Sequence, residues 1–95
     1  MMISFDISKE DLAHVEKIMN RAESLRIFTH GYTRSTLLMD LMACNANGCR
    51  MDFERLAEAD NFNLLHDLIG IAEHINRKTG KLEGCFLPRF AVTTH

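Results

Sequence analysis

The chain has 95 residues, 46% of them hydrophobic and 25% charged, which is enough for one hydrophobic core and too little for a second independent one. That average composition excludes disorder, collagen-like sequence and low complexity. Eleven Lys plus Arg against thirteen Asp plus Glu leave a formal charge of −2, so the chain does not carry the net positive charge with which a protein holds nucleic acid by charge alone.

The single proline, Pro88, lies near the C-terminal end, which leaves everything before it free to be helical. Ser8 is a hydroxyl N-cap followed by Lys9-Glu10-Asp11, whose acids suit the positive end of a helix dipole. Ile7 and Leu12 flank it at the spacing of a hydrophobic staple. From there Leu12, Val15, Ile18, Met19, Ala22, Leu25 and Phe28 recur at three- and four-residue steps, which predicts a first helix of about five turns stopped by Gly31. The second helix starts near Thr33 or Ser35 and runs to about Ala46, with Asn47-Gly48 as a left-handed termination. Its polar arc is narrow and holds Thr36, Asp40 and Asn47, so this helix is expected to be central or to lie in a subunit interface.

Asp52 reads as a third N-cap, with Met51 and Leu56 as a second staple, and Phe53 to Ala59 makes about two turns. Asp60 or Asn61 restarts the chain. A fourth helix is predicted from about Phe62 to Lys78, burying Leu64, Leu65, Leu68, Ile69, Ala72 and Ile75, with Arg77 and Lys78 at its negative end and Gly80 as the stop. Leu82 to Val92, with Cys85, Phe86, Leu87 and Phe90, reads as an apolar strap over the bundle. The secondary reading there is a short strand of alternating Ile3, Phe5 and Ile7 paired with this tail.

The most suggestive surface is the polar side of the fourth helix. At 100° per residue, Asn63, His66, Asp67, Gly70, Glu73, His74 and Arg77 fall within one arc of roughly 120°. A mid-helix glycine costs about 1 kcal/mol relative to alanine, so Gly70 marks a place where something approaches the backbone closely. One reading is a ligand or metal held by His66, Asp67, Glu73 and His74; the favoured one is a second helix crossing at Gly70, with Glu73 paired to Arg77 four residues on. His66 and His74 are eight apart, about 12 Å along the axis, too far for both to ligate one zinc ion.

Cys44, Cys49 and Cys85 with a histidine could complete a zinc site, but they lack the close C-x₂₋₄-C pairing of a zinc knuckle, and Cys44 and Cys85 read better as buried small hydrophobes. No catalytic, cofactor or metal site is therefore assigned. An odd number of cysteines, together with a start that carries Asp6 and no basic stretch before an apolar core, points to reduced thiols and a cytosolic address. The longest apolar run, Leu41-Met42-Ala43-Cys44, is far short of the ~20 residues of a membrane span. Arg77, Lys78, Lys81 and Arg89 make the C-terminal third locally basic and able to meet phosphates, although helix-end cations and a solvated turn explain the first three equally well.

Met39-Asp40-Leu41-Met42-Ala43-Cys44, the Asn47-Gly48-Cys49 turn, Asp52-Phe53-Glu54-Arg55-Leu56, Phe62-Asn63, His66-Asp67, Gly70-Ile71, Thr79-Gly80-Lys81-Leu82 and Cys85-Phe86-Leu87-Pro88-Arg89-Phe90 together resemble a domain of unknown function found in small hypothetical proteins of bacteria and their prophages. The resemblance covers residues 33 to 91 and leaves the first helix outside. It carries no catalytic motif and implies only an origin, that of a cytosolic, phage-derived accessory protein.

The expected fold is thus one all-α domain over residues 1–95, a small bundle of three long helices and one short helix closed by an apolar C-terminal strap. The expected function is that of a non-enzymatic binding or regulatory protein that works through a protein partner and forms a homodimer through the second helix. The alternatives are a nucleic-acid-binding regulator using the basic C-terminal third, and a metal-dependent enzyme on the polar face of the fourth helix.

Overall fold

The computed structural model describes residues 7–46 and 53–82. Four helices form as the all-α reading expects: α1 (Lys9–Ser24), α2 (Arg34–Ala46), α3 (Phe53–Glu58) and α4 (Asn61–His74). A short hairpin follows, β1 (Ile75–Asn76) with β2 (Lys81–Leu82), in antiparallel register Ile75 to Leu82 and Asn76 to Lys81. Asn47-Gly48, Met51, Asp52, the residue 83–92 part of the expected strap, and Ile3 and Phe5 of the alternative strand lie outside the described residues.

α1 begins where its capping chemistry dictates, with the Ser8 hydroxyl accepting from Asp11 N at 3.1 Å and extended backbone at the cap. Val15, Ile18, Met19 and Ala22 are buried, and Ile7 packs against the core. Leu12, the expected staple partner of Ile7, is 42% exposed. The helix stops one turn short of the predicted length, and Gly31 is not its terminator. Arg26 adopts φ 58 and donates to Glu23 O at 3.0 Å, while Ile27 N reaches Ala22 O at 3.4 Å, the pair of bonds of a Schellman closure. The apolar periodicity survives past this point only because Ile27 and Phe28 pack back onto the core from the loop. That loop is closed by Thr29, whose amide and carbonyl both pair with Tyr32 and whose hydroxyl accepts from Gly31 N and Tyr32 N.

α2 opens with a reciprocal threonine cap. Thr36 N donates to Thr33 Oγ1 at 3.3 Å and Thr33 N donates to Thr36 Oγ1 at 3.4 Å, so a hydroxyl fills the place that Glu or Gln takes in a capping box. Leu37, Leu41, Met42 and Cys44 are buried, and the helix touches α1, α4 and both strands, which makes it central as expected. On its narrow polar arc Asp40 is 1% exposed.

α3 sets Phe53, Leu56 and Ala57 against α1. Arg21 of α1 then ties the α3–α4 junction, donating to Ala57 O at 2.7 Å and to Asn61 Oδ1 at 2.9 Å. The first of these satisfies a carbonyl that the end of so short a helix leaves without an intrahelical partner. α4 starts at Asp60, whose carboxylate accepts from both the backbone and side-chain amides of Asn63. It ends at His74, not at Lys78. Asn76 folds the chain back instead: its side chain accepts from Lys78 N at 2.9 Å and its carbonyl from Gly80 N at 2.7 Å. Gly80, at φ +69, takes the left-handed position this turn requires and is not a helix stop.

Candidate functional site

Ending α4 early rearranges the polar arc read from the sequence. Arg77 leaves the helix and enters the hairpin turn, where its Nη1 pairs with Asp40 Oδ1 across the molecule. The expected Glu73–Arg77 pair is therefore replaced by Arg77–Asp40. Tyr32 completes the arrangement from the loop before α2, donating its hydroxyl to Asp40 Oδ2 at 3.0 Å, with the Arg77 guanidinium 5.9 Å from the Tyr32 ring centroid. Arg77 Nη2 also reaches Ala72 O at 3.4 Å.

The electrostatics follow from that geometry. Burial first, then the Asp40 charge and the hydrogen bond to it, push the Tyr32 hydroxyl well above its ordinary value of 10.0, and the nearby Arg77 charge only partly offsets this. Tyr32 is thus held as a donor. A buried carboxylate is tolerated only with such partners, and here they come from the loop before α2 and from the hairpin turn. The network pins two irregular segments to α2. It also engages the Arg77 charge that the sequence offered to phosphates; Lys78 lies exposed on the turn, and Arg89 lies outside the described residues.

Asp67, which the sequence places on the polar arc, turns into the core as well. It is 3% exposed and sits on the core side of α4 with Leu64, Leu68 and Ile71. At 100° per residue these four span the arc opposite Phe62, His66, Ile69 and Glu73. Within the proposed ligand set, His66 and Asp67 lie close, with His66 Nδ1 3.6 Å from Asp67 Oδ1. Asn63 is engaged with Asp60, Gly70 and His74 are half-buried, and Glu73 is exposed. Among the described residues no group of three or more His, Cys, Asp or Glu side chains is arranged to hold a metal ion. Cys44 is buried in the core cluster.

The outward ridge of α4 is apolar at Phe62 and at Ile69, the latter a position that the sequence pattern assigns to the core. Ile69, predicted to be buried, is 52% exposed, and Phe62 is 76% exposed. The Phe62 ring stacks on His66 with centroids 6.4 Å apart. Beside the ridge, Ile27, Tyr32, Leu68, Ile69, Ala72 and Glu73 line a shallow cleft of about 180 Å³. A separate cleft of about 320 Å³ lies between α2 and the hairpin, with Met39 and Arg77 on its walls.

Two signals in the sequence mark these features. Asp40 is the lone acid in an apolar run from Leu37 to Cys44, and Phe62, Leu65, Ile69 and Ala72 form a second apolar stripe beside Leu64, Leu68, Ile71 and Ile75. A single helix face cannot bury both stripes in a bundle of this size.

Residues 10–92 match the model of a family of unknown function, DUF6874. The chain belongs to this family. No curated protein and no solved structure matches the chain. The DUF6874 match runs through α1, so the narrower extent of residues 33 to 91 is corrected: the helix that supplies Val15, Ile18 and Ala22 to the core belongs to the domain. No helix among the described residues is long and apolar enough to cross a membrane.

Proposed function

We propose that this DUF6874 protein is a non-enzymatic binding or regulatory module that acts through protein contacts, with the outward ridge of α4 as its contact surface. The observation that carries the reading is the exposure of Phe62 and Ile69 on one face of a helix whose opposite face is fully used by the core. Isolated surface apolar residues are ordinary, but a large aromatic stacked on a histidine, followed two turns on by an isoleucine at the lip of an apolar cleft, is the composition of a contact surface. The reading keeps the cytosolic address expected from the cysteine count and the bacterial or prophage origin implied by the resemblance.

The test is a photo-crosslinking amino acid placed at Phe62 in the host, with the exposed position Glu16 of α1 as control. A discrete protein adduct from position 62 and none from position 16 is the expected result. Identical patterns from the two positions would remove the assignment.

A further inference from the structure

The α4 ridge is complementary to itself. His66 and Glu73 are equally distant from the midpoint between Ile69 and Gly70, and all four lie on the outward or flanking sides of the helix. If two copies of α4 cross antiparallel about that midpoint, each His66 meets the partner's Glu73. Each Ile69 then meets the partner's Gly70, which presents no side chain of its own. Phe62 lies over the C-terminal end of the partner helix, and the two helix dipoles oppose one another. A two-fold interface requires this property, that one patch be its own complement.

We propose that the protein self-associates through this antiparallel α4 contact. The proposal rests on the reading of the α4 ridge as a contact surface and names the partner as a second copy of the chain. His66 is prepared for the role: its ring is stacked on Phe62 and its Nδ1 faces Asp67, which leaves Nε2 for the partner's Glu73. The apolar part of the contact removes from water the two most exposed large hydrophobic side chains among the described residues. A 14-residue helix is about 21 Å long, so the buried area falls at the small end of specific interfaces and the dimer dissociates in roughly the micromolar range. This contact uses α4, whereas the homodimer expected from the sequence used the second helix.

Sedimentation equilibrium of the full chain from about 1 to about 300 μM reads the association directly, since that range brackets a micromolar constant. The expected result is a monomer–dimer equilibrium that Ile69→Lys, at an already exposed position, weakens by about 100-fold or more, as a charge introduced into the centre of an apolar contact does. Met39→Lys on the exposed side of α2 leaves it unchanged.

The register has its own test. His66→Asp and Glu73→Lys each place like or unmatched charges opposite one another and each weaken self-association by about fivefold. An equimolar mixture of the two variants recovers association, because the mixed dimer sets the introduced aspartate opposite the introduced lysine and keeps one native His66–Glu73 pair. A monomer at the highest concentration overturns the proposal, and so does a dimer broken by Met39→Lys but not by Ile69→Lys, or a mixture no stronger than its components. If the protein is monomeric while position 62 still crosslinks to a different protein, self-association fails and the reading of the ridge as a contact surface stands.

Discussion

Asp40 receives its two hydrogen bonds from residues that are themselves held by nothing regular, Tyr32 in a loop and Arg77 in a turn. Removing each partner has a different consequence. Arg77→Ala leaves a buried carboxylate with only the tyrosine hydroxyl and is expected to cost about 2–3 kcal/mol, the lower part of the range for breaking a buried pair because Arg77 is half exposed. Replacing both ends with apolar residues, Asp40→Leu with Arg77→Met, costs less than Arg77→Ala alone, since no charge is left behind. Urea denaturation midpoints at constant slope measure both.

Tyr32→Phe removes a hydrogen bond to a charged group and costs about 1.5 kcal/mol. The tyrosine also sets an alkaline limit. Its folded value is raised above 10.0, so its contribution is complete below pH 10 and is lost as pH rises further, toward and through the folded value. As this is the chain's one tyrosine, tyrosinate absorbance follows it without interference, and the native protein is expected to ionise only above pH 10 or on unfolding.

At the scale of elements, caps decide where helices begin, while α1 and α4 end by two different devices. Ser8, Thr33 and Asp60 each accept a backbone amide three residues on, and each start is legible in the sequence within a residue or two because the hydrogen-bond donor and acceptor are local. The ends are less legible. At the end of α1 the left-handed position is occupied by Arg26, a residue with no special preference for it, and no sequence rule marks that site. Because an L-residue there is strained by roughly 1–2 kcal/mol, Arg26→Gly is expected to stabilise the protein by about 1 kcal/mol after its extra chain entropy is counted. For a domain of this size that raises the thermal midpoint by about 4–8 °C. At the end of α4 the decisive residue is Asn76, whose side chain competes for the backbone amides of Lys78 and Thr79 and turns the chain into a hairpin.

For the molecule as a whole, a small domain buries a limited share of its surface, and a face left apolar on the outside couples stability to association. The thermal midpoint of the wild-type protein is therefore expected to rise with protein concentration. Ile69→Lys should remove that dependence while leaving the stability in dilute solution within about 0.5 kcal/mol, as is usual for exposed positions. Scanning calorimetry over a hundredfold concentration range checks both. α2 serves as the axis of this arrangement: it meets α1, α4 and the hairpin, its Leu37, Leu41 and Cys44 are buried, and its Asp40 pairs with Arg77 of the hairpin turn.

The order and type of the four helices, the caps of α1, α2 and α4 and the core residues Val15, Ile18, Leu41, Leu64 and Leu68 follow from the sequence, because helix periodicity and capping are short-range properties that need no knowledge of neighbours. The burial of Asp40 and Asp67, the exposure of Ile69 and the reach of Arg77 across to α2 are settled only by the tertiary structure. Each depends on which of two adjacent faces of a helix meets the rest of the bundle. A rotation of α4 by about one residue's angle would exchange Leu68 for Ile69 and Asp67 for His66, and local pattern weighs the two settings almost equally. What selects between them is a partner distant in the chain, as Tyr32 and Arg77 are for Asp40.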